Sequence, residues 1–171
     1  GPIKTEAQYP GIKTEDDEFW QTHYSEGIYV GYRWYATKEI PVQFPFGHGL
    51  SYTAFEYSNA KAAKASMTAG GTLQVSVEVA NIGSVDGAEV VQLYIADPEA
   101  SVDRPAKELK GFEKIWLKAG ERKTVTFEID AEDLSYFDAE KHEWVAEPGK
   151  FKALLGSSSE DVKSTVNFKL N

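Results

Sequence analysis

At 171 residues the chain has room for one domain with a sizeable appendage, or two small ones. It is too short for a complete (β/α)₈ barrel, which takes about 250 residues. Apolar residues at 42% and charged residues at 26% are the balance of a packed globular protein, not of a disordered chain. With 27 acidic against 18 basic residues the net charge is −9, which argues against nucleic acid or an anionic membrane surface as partner. The absence of cysteine removes any disulfide framework and any thiolate nucleophile or metal ligand, and leaves the compartment open between secreted, periplasmic and cytoplasmic. No apolar run is long enough to span a bilayer. The start, Gly1 to Gly11, lacks the basic and apolar regions of a signal peptide, so the sequence is expected to be a soluble mature polypeptide, with a piece cut from something longer left open.

In chain order, the first third is set apart by its rings. Residues 1–57 carry 13 of the 22 aromatic side chains. Each ring can bury roughly 150–250 Å², and a 57-residue segment with few aliphatic residues has little interior of its own. These rings need a partner surface: the rest of this chain, a second copy, or a larger protein. The acidic run Glu15-Asp16-Asp17-Glu18 precedes Phe19-Trp20. Residues 28–35 alternate as a strand would, but a short helix closed before Pro41 fits about as well and is the preferred reading. Pro41, Pro45, Gly47 and Gly49 then exclude a regular element, so residues 40–52 are expected to be an ordered linker that packs on a neighbour.

From about residue 53 short alternating runs take over. Leu73, Val75, Val77 and Val79 share one face, and Asn81 to Gly87 supplies turn chemistry. Residues 88–96 form a mixed apolar run that suits a more central strand. Val125, Phe127 and Ile129 alternate after the turn at Ala119-Gly120-Glu121. Further strands are expected at 143–146, 151–155 and 163–170, with an entry strand near 53–58 and a short one near 112–117. Seven to eight strands in this span predict an all-β, two-sheet sandwich of immunoglobulin or fibronectin type III kind, held by burial alone.

Several blocks are distinctive in series: Tyr24 to Tyr35, Phe44-Pro45-Phe46-Gly47-His48-Gly49-Leu50-Ser51-Tyr52-Thr53, Asn81-Ile82-Gly83 with Asp86 to Tyr94, Arg104-Pro105 with Glu108 to Phe112, Leu134 to Asp138, and Glu147-Pro148-Gly149 with Gly156 to Ser159. In this order they resemble the C-terminal region of glycoside hydrolase family 3 β-glucosidases, from Tyr9 onward. The resemblance implies that residues 1–40 are the tail of an α/β sandwich domain, 41–56 an aromatic linker, and 57–171 a fibronectin type III-like domain. It implies a parent that removes terminal β-D-glucosyl residues with retention, without metal or cofactor. That chemistry needs two carboxylates about 5–5.5 Å apart. The family's aspartate nucleophile and glutamate acid/base would both lie upstream of Gly1, so no catalytic, cofactor or metal residue is assigned and the chain alone is expected to be inactive. Its partners would be the barrel and α/β sandwich domains of the same enzyme and, through them, a β-glucoside; homodimerisation is a further role the resemblance leaves open.

Individual residues have plainer readings beside functional ones. Glu26 and Glu15 to Glu18 are better read as solvated acids than as glycosidase carboxylates. Trp20, Trp34 and Tyr35 suit interdomain packing better than sugar stacking. His48 reads as a linker histidine bonded to backbone, with no second histidine at metal spacing. Asp97, Glu99 and Asp103 lack the glycine and terminal glutamate of a calcium loop and read as surface. Arg104 is expected either to meet a carboxylate on another domain or subunit or to be exposed. Trp116 and Trp144 belong to a sandwich core or sheet edge, and Ser157-Ser158-Ser159 to a turn. The competing function is an autonomous carbohydrate-binding or adhesion module, which would show a flat row of exposed rings with polar neighbours; a contiguous apolar face would favour a missing domain.

Overall fold

The computed structural model describes residues 26–171. Glu15 to Glu18 and Trp20 therefore lie outside the described residues. Helix α1 (Tyr32–Thr37) is followed by ten strands and one further helical turn. The strands are β1 (Phe55–Ala62), β2 (Ser66–Met67), β3 (Leu73–Asn81), β4 (Gly87–Ala96), β5 (Glu108–Leu117), β6 (Arg122–Ile129), β7 (Tyr136–Asp138), β8 (Glu143–Val145), β9 (Gly149–Gly156) and β10 (Val162–Leu170), with α2 (Ala131–Leu134) between β6 and β7. They form a three-stranded sheet β1-β3-β6, a five-stranded sheet β2-β10-β9-β4-β5, and a separate ribbon β7-β8. Every pairing is antiparallel except β2 with β10. This is the expected all-β fibronectin type III-like sandwich.

Period-2 patterning builds the core. Leu73, Val75, Val77 and Val79 of β3 and Val125, Phe127 and Ile129 of β6 face Val91, Leu93 and Ile95 of β4, Ile115 and Leu117 of β5, Phe151, Ala153 and Leu155 of β9, and Phe168 and Leu170 of β10. Each such aliphatic side chain contributes about 1.5–3 kcal/mol by leaving water. That burial does the work a disulfide does in other sandwiches.

The helix expected over 28–35 is present but starts later, at Tyr32. Gly31 takes a left-handed conformation at φ 60°, which no helix interior tolerates, so residues before it form turns. After Thr37, Glu39 is also left-handed at φ 51°, and Pro41 forbids continuation. The two strands beyond the expected count, β2 and β7, have only two and three residues, too few for a periodic signal. Strand β5 begins at Glu108, four residues before the expected 112, because a bulge opposite Leu93/Tyr94 carries the ladder past Gly111. Helix α2 is closed by a capping box: the Asp130 side chain accepts from the Glu132 and Asp133 N–H groups, and the Asp133 carboxylate accepts from the Asp130 N–H.

Candidate functional site

The ring-rich segment does not float free of the sandwich. Tyr29 is buried and its hydroxyl donates to Asp103 at 2.6 Å; burial and this carboxylate together push its pKa up to about 12. The Tyr32 hydroxyl accepts from the Leu109 N–H at 2.8 Å, and the Thr37 hydroxyl accepts from the Ala106 N–H at 2.9 Å. Helix α1 is therefore tied to the β4–β5 loop and the start of β5 by side chains that bridge more than sixty residues of sequence. Trp34 and Tyr35 are half-buried, and the Trp34 ring meets Tyr29 edge-on at 6.4 Å. Packing within the chain, rather than an open stacking face, is what these rings provide.

The linker is fixed by a second set of contacts. Phe46 stacks on Tyr32 with centroids 5.0 Å apart, and Tyr32 meets the buried Tyr94 edge-on at 5.8 Å. The Phe46 carbonyl accepts from the Ser159 N–H at 2.9 Å. Beneath them Gln92, buried to 3% exposure, donates to the Ser157 carbonyl at 2.7 Å and accepts from the Tyr94 hydroxyl. Gly47 sits on this amide at φ 82°, where a Cβ would fall 2.3 Å from the Gln92 Nε2. Both the backbone conformation and the space demand glycine. At the far end of the linker Thr53 donates to the Asn81 side chain, which itself donates to the carbonyls of Val85 and Leu117. The buried Asn81 thus joins linker, turn and strand, a role that turn chemistry alone does not reveal.

What this anchoring leaves outside is apolar. Phe44 is 69%, Leu50 94% and Tyr52 101% exposed on a backbone held at both ends. Phe112 and Trp116 stand on the outer face of β5, the edge strand of the larger sheet, and are equally open. On that face Val90 of β4 pairs with Lys114 of β5. Val90, Lys114 and Leu50 line one groove of about 460 Å³ that runs beneath the linker. Tyr57 and Glu89 also line it. The Tyr57 hydroxyl is buried without a hydrogen-bond partner among the described residues, and burial, with Glu89 and Asp161 nearby, raises its pKa. Burial likewise raises the Glu89 carboxyl.

Arg104 departs from both expectations. Its side chain is 6% exposed and wholly engaged inside the chain: it pairs with Asp97 at 3.3 Å and Glu108 at 2.9 Å and donates to the carbonyls of Leu134 at 2.8 Å and Ser135 at 3.3 Å. Asp97 and Glu108 are near in sequence, but the Leu134 and Ser135 carbonyls are some thirty residues away, so no local motif announces the full set. Asp97 is correspondingly not a surface acid, since its side chain is also 6% exposed. Burial raises its carboxyl even with Arg104 beside it. Glu99 is an exposed partner of Lys150 at 2.6 Å, and Asp103 receives Tyr29. Among the described residues no group of three or more His, Cys, Asp or Glu side chains is arranged to hold a metal.

The remaining residues fall as follows. Glu26 is partly exposed, and its carbonyl accepts the Tyr29 N–H. His48 donates its backbone N–H to Pro45, but its imidazole is exposed and lies 5.5 Å from the Phe44 ring, so it is tied to the linker by main chain only. Trp116 and Trp144 are on sheet edges, at 65% and 66% exposure, and not in the core. Ser157 to Ser159 form the bend between β9 and β10, closed by Ser157 donating to the Asp161 carboxylate at 2.6 Å and the Asp161 N–H donating to Ser158.

Comparison with known proteins places this architecture. A fibronectin type III-like domain family matches residues 89–159. A β-glucosidase of Bacteroides ovatus is 49% identical over 164 residues, which are 96% of this chain and 21% of that protein. A thermostable β-glucosidase of Acetivibrio thermocellus is 47% identical over 95% of this chain and 21% of its own length. The crystal structure of a family 3 β-glucosidase from Bifidobacterium adolescentis superposes with a TM-score of 0.87 at 37% identity, over 98% of this chain and 23% of that one. The chain corresponds to the C-terminal, fibronectin type III-like part of family 3 β-glucosidases. It spans about a fifth of the length of these relatives. An exo-α-(1→6)-L-arabinopyranosidase of Bifidobacterium breve, 41% identical over 94% of this chain, carries the same part beside a different named specificity.

Proposed function

We propose that this chain is the non-catalytic C-terminal portion of a retaining exo-β-glycosidase of family 3 that acts on terminal β-D-glucosyl residues. In this reading residues 1–40 complete an α/β sandwich domain, 41–56 connect it, and 57–171 are a brace on which the catalytic domains rest. The observation that carries it is the linker face. The backbone that carries Phe44, Leu50 and Tyr52 is tied down by the Phe46–Ser159 and Thr53–Asn81 hydrogen bonds, yet their side chains meet water. Fixing a backbone costs about 1–2 kcal/mol per residue, and an ordered segment that presents bare rings is the shape of half an interface. Relatives five times longer supply the other half. Both catalytic carboxylates belong to that other part, and the buried acids of this chain, Asp97 foremost, serve its own ion pairs. The rim of the substrate cleft and a dimer contact are two further uses of the same apolar surface.

The test is a graft. The Bacteroides ovatus β-glucosidase is truncated before its matching fifth and this chain is joined in its place. The graft is expected to fold and hydrolyse an aryl β-glucoside, the truncated enzyme to be insoluble or inactive, and the 171-residue chain alone to show no turnover. Turnover by the isolated chain that a single acidic substitution abolishes would overturn the proposal.

The rival, an autonomous carbohydrate-binding module, is less well supported at the linker. There Phe46 is taken up by Tyr32, which meets Tyr94 in turn, and the bare side chains Phe44, Leu50 and Tyr52 include an aliphatic one.

A further inference from the structure

A second groove, away from the linker face, has a different chemistry. It lies between the β7–β8 ribbon and the segment from Val102 to Lys110, encloses about 680 Å³, and is also bordered by Arg33 of α1. That volume is within the range of small-molecule sites. We infer that this groove is a binding site for a neutral hexopyranoside, with Trp144 as the stacking surface and Arg33, Lys110 and Glu140 as its hydrogen-bonding rim.

The argument rests on which groups are still open. Trp144 on β8 and Phe137 on β7 are cross-strand partners, 66% and 50% exposed, with centroids 5.7 Å apart and ring planes at 68°. They form a corner: one ring offers its face as a floor, and the other stands against it as a wall. A pyranose presents axial C–H bonds to a ring face and hydroxyls around its edge, and each hydroxyl both donates and accepts. The rim supplies partners of both kinds. Arg33 reaches Glu108 only at 3.6 Å and keeps its side chain 37% exposed. Among the described residues Lys110 and Glu140 form no ion pair, whereas Arg104, Asp103 and Asp138 nearby are already engaged. Open cations and an open carboxylate together suit an uncharged ligand with many hydroxyls better than an anion or a cation.

The same balance separates this groove from the linker face. Cores of protein–protein interfaces are depleted of charged residues; Phe44, Leu50 and Tyr52 are themselves uncharged, whereas the ribbon groove places Arg33, Lys110 and Glu140 around its rings. The inference stands independently of the brace reading, since it concerns a ligand bound by this chain alone.

The experiment is a titration of the 171-residue chain, labelled with ¹⁵N, followed at its four tryptophan indole N–H resonances. The probes are D-glucose, cellobiose and cellotetraose to about 50 mM, with glycerol as a polyol lacking a ring; a half-open groove of this size predicts a Kd on the order of millimolar. Trp144 is assigned with W144F. Saturable movement of the Trp144 resonance with a sugar and not with glycerol is expected, with Trp116 unmoved. R33Q should weaken binding several-fold while the spectrum keeps its dispersion, and W144A should abolish saturation. Absence of saturable change at Trp144 with all three sugars would overturn the inference, as would equal movement of Trp116 or undiminished binding by W144A. If the sugars leave Trp144 unmoved but the graft described above shields its indole from solvent, the groove is a protein contact and the inference is wrong.

Discussion

Replacing Arg104 with alanine removes a cation that four acceptors share. Asp97 loses its counter-charge, Glu108 keeps only Arg33 at 3.6 Å, and the carbonyls of Leu134 and Ser135 lose a donor. The size of the effect follows from the burial of Asp97, whose side chain is 6% exposed and keeps only the Glu99 N–H as a donor. Breaking a buried pair by deleting one member costs about 3–5 kcal/mol, because a charge is left in a poor solvent. For a domain of this size that is about 6–20 °C in Tm. The net worth of the intact pair is a separate quantity and smaller: the Asp97 carboxyl is held above its ordinary value, so Arg104 only partly offsets the burial. The sign of the pH dependence follows. A raised carboxyl binds its proton more tightly in the folded state, so the folded state is favoured at low pH and this contribution is lost as pH rises through the folded pKa. In R104A the carboxylate stands alone, and the damage should be largest at neutral pH and shrink as Asp97 protonates. Urea unfolding of wild type, R104A and R104M/D97N at pH 7 and pH 4.5 checks each step. The double variant, with both charges gone, should recover part of the loss. A cost below about 1 kcal/mol for R104A at pH 7, or a double variant worse than the single one, would refute the reasoning.

Other outcomes follow from the same contacts. G47A places a Cβ against the Gln92 amide at a left-handed position; a cost of about 1–2 kcal/mol should appear mainly as linker release, read as faster proteolysis between 41 and 52 with the sandwich intact. E89Q should raise Tm at pH 7 by removing a half-buried charge, and the gain should vanish below the ordinary glutamate value of about 4.3, where wild-type Glu89 is also neutral. N81A, which unties Thr53, Val85 and Leu117 together, should cost about 1–3 kcal/mol in urea unfolding.

The sandwich was legible because its signal is local. Alternation in β3 and β6 sets one face against the core, and the turn residues between runs mark where strands end. What was not legible depends on partners distant in sequence. Arg104 reads as a lone cation before a proline, and only the fold brings Leu134 and Ser135 to it. The described part of the ring-rich segment divides in two. Tyr29, Tyr32 and Trp34 find theirs on this chain's own loop and strands, while Phe44, Leu50 and Tyr52 do not. Sequence gives the number of rings, and the tethers of Thr37 and Tyr32 decide which of them turn inward. The Phe137–Trp144 corner was missed because β7 is three residues long, and without it Trp144 has no visible partner.

The central claim is that the rings left bare on the linker are one side of a contact with catalytic domains. It is tested most directly by measuring aryl β-glucoside hydrolysis and thermal stability of the graft with and without L50D/Y52D. Both residues are fully open in this chain, so the substitutions should leave the Tm of the isolated 171-residue protein within about 1 °C of wild type. In the graft they should lower activity and stability sharply. Full activity and unchanged stability of the substituted graft would contradict the account.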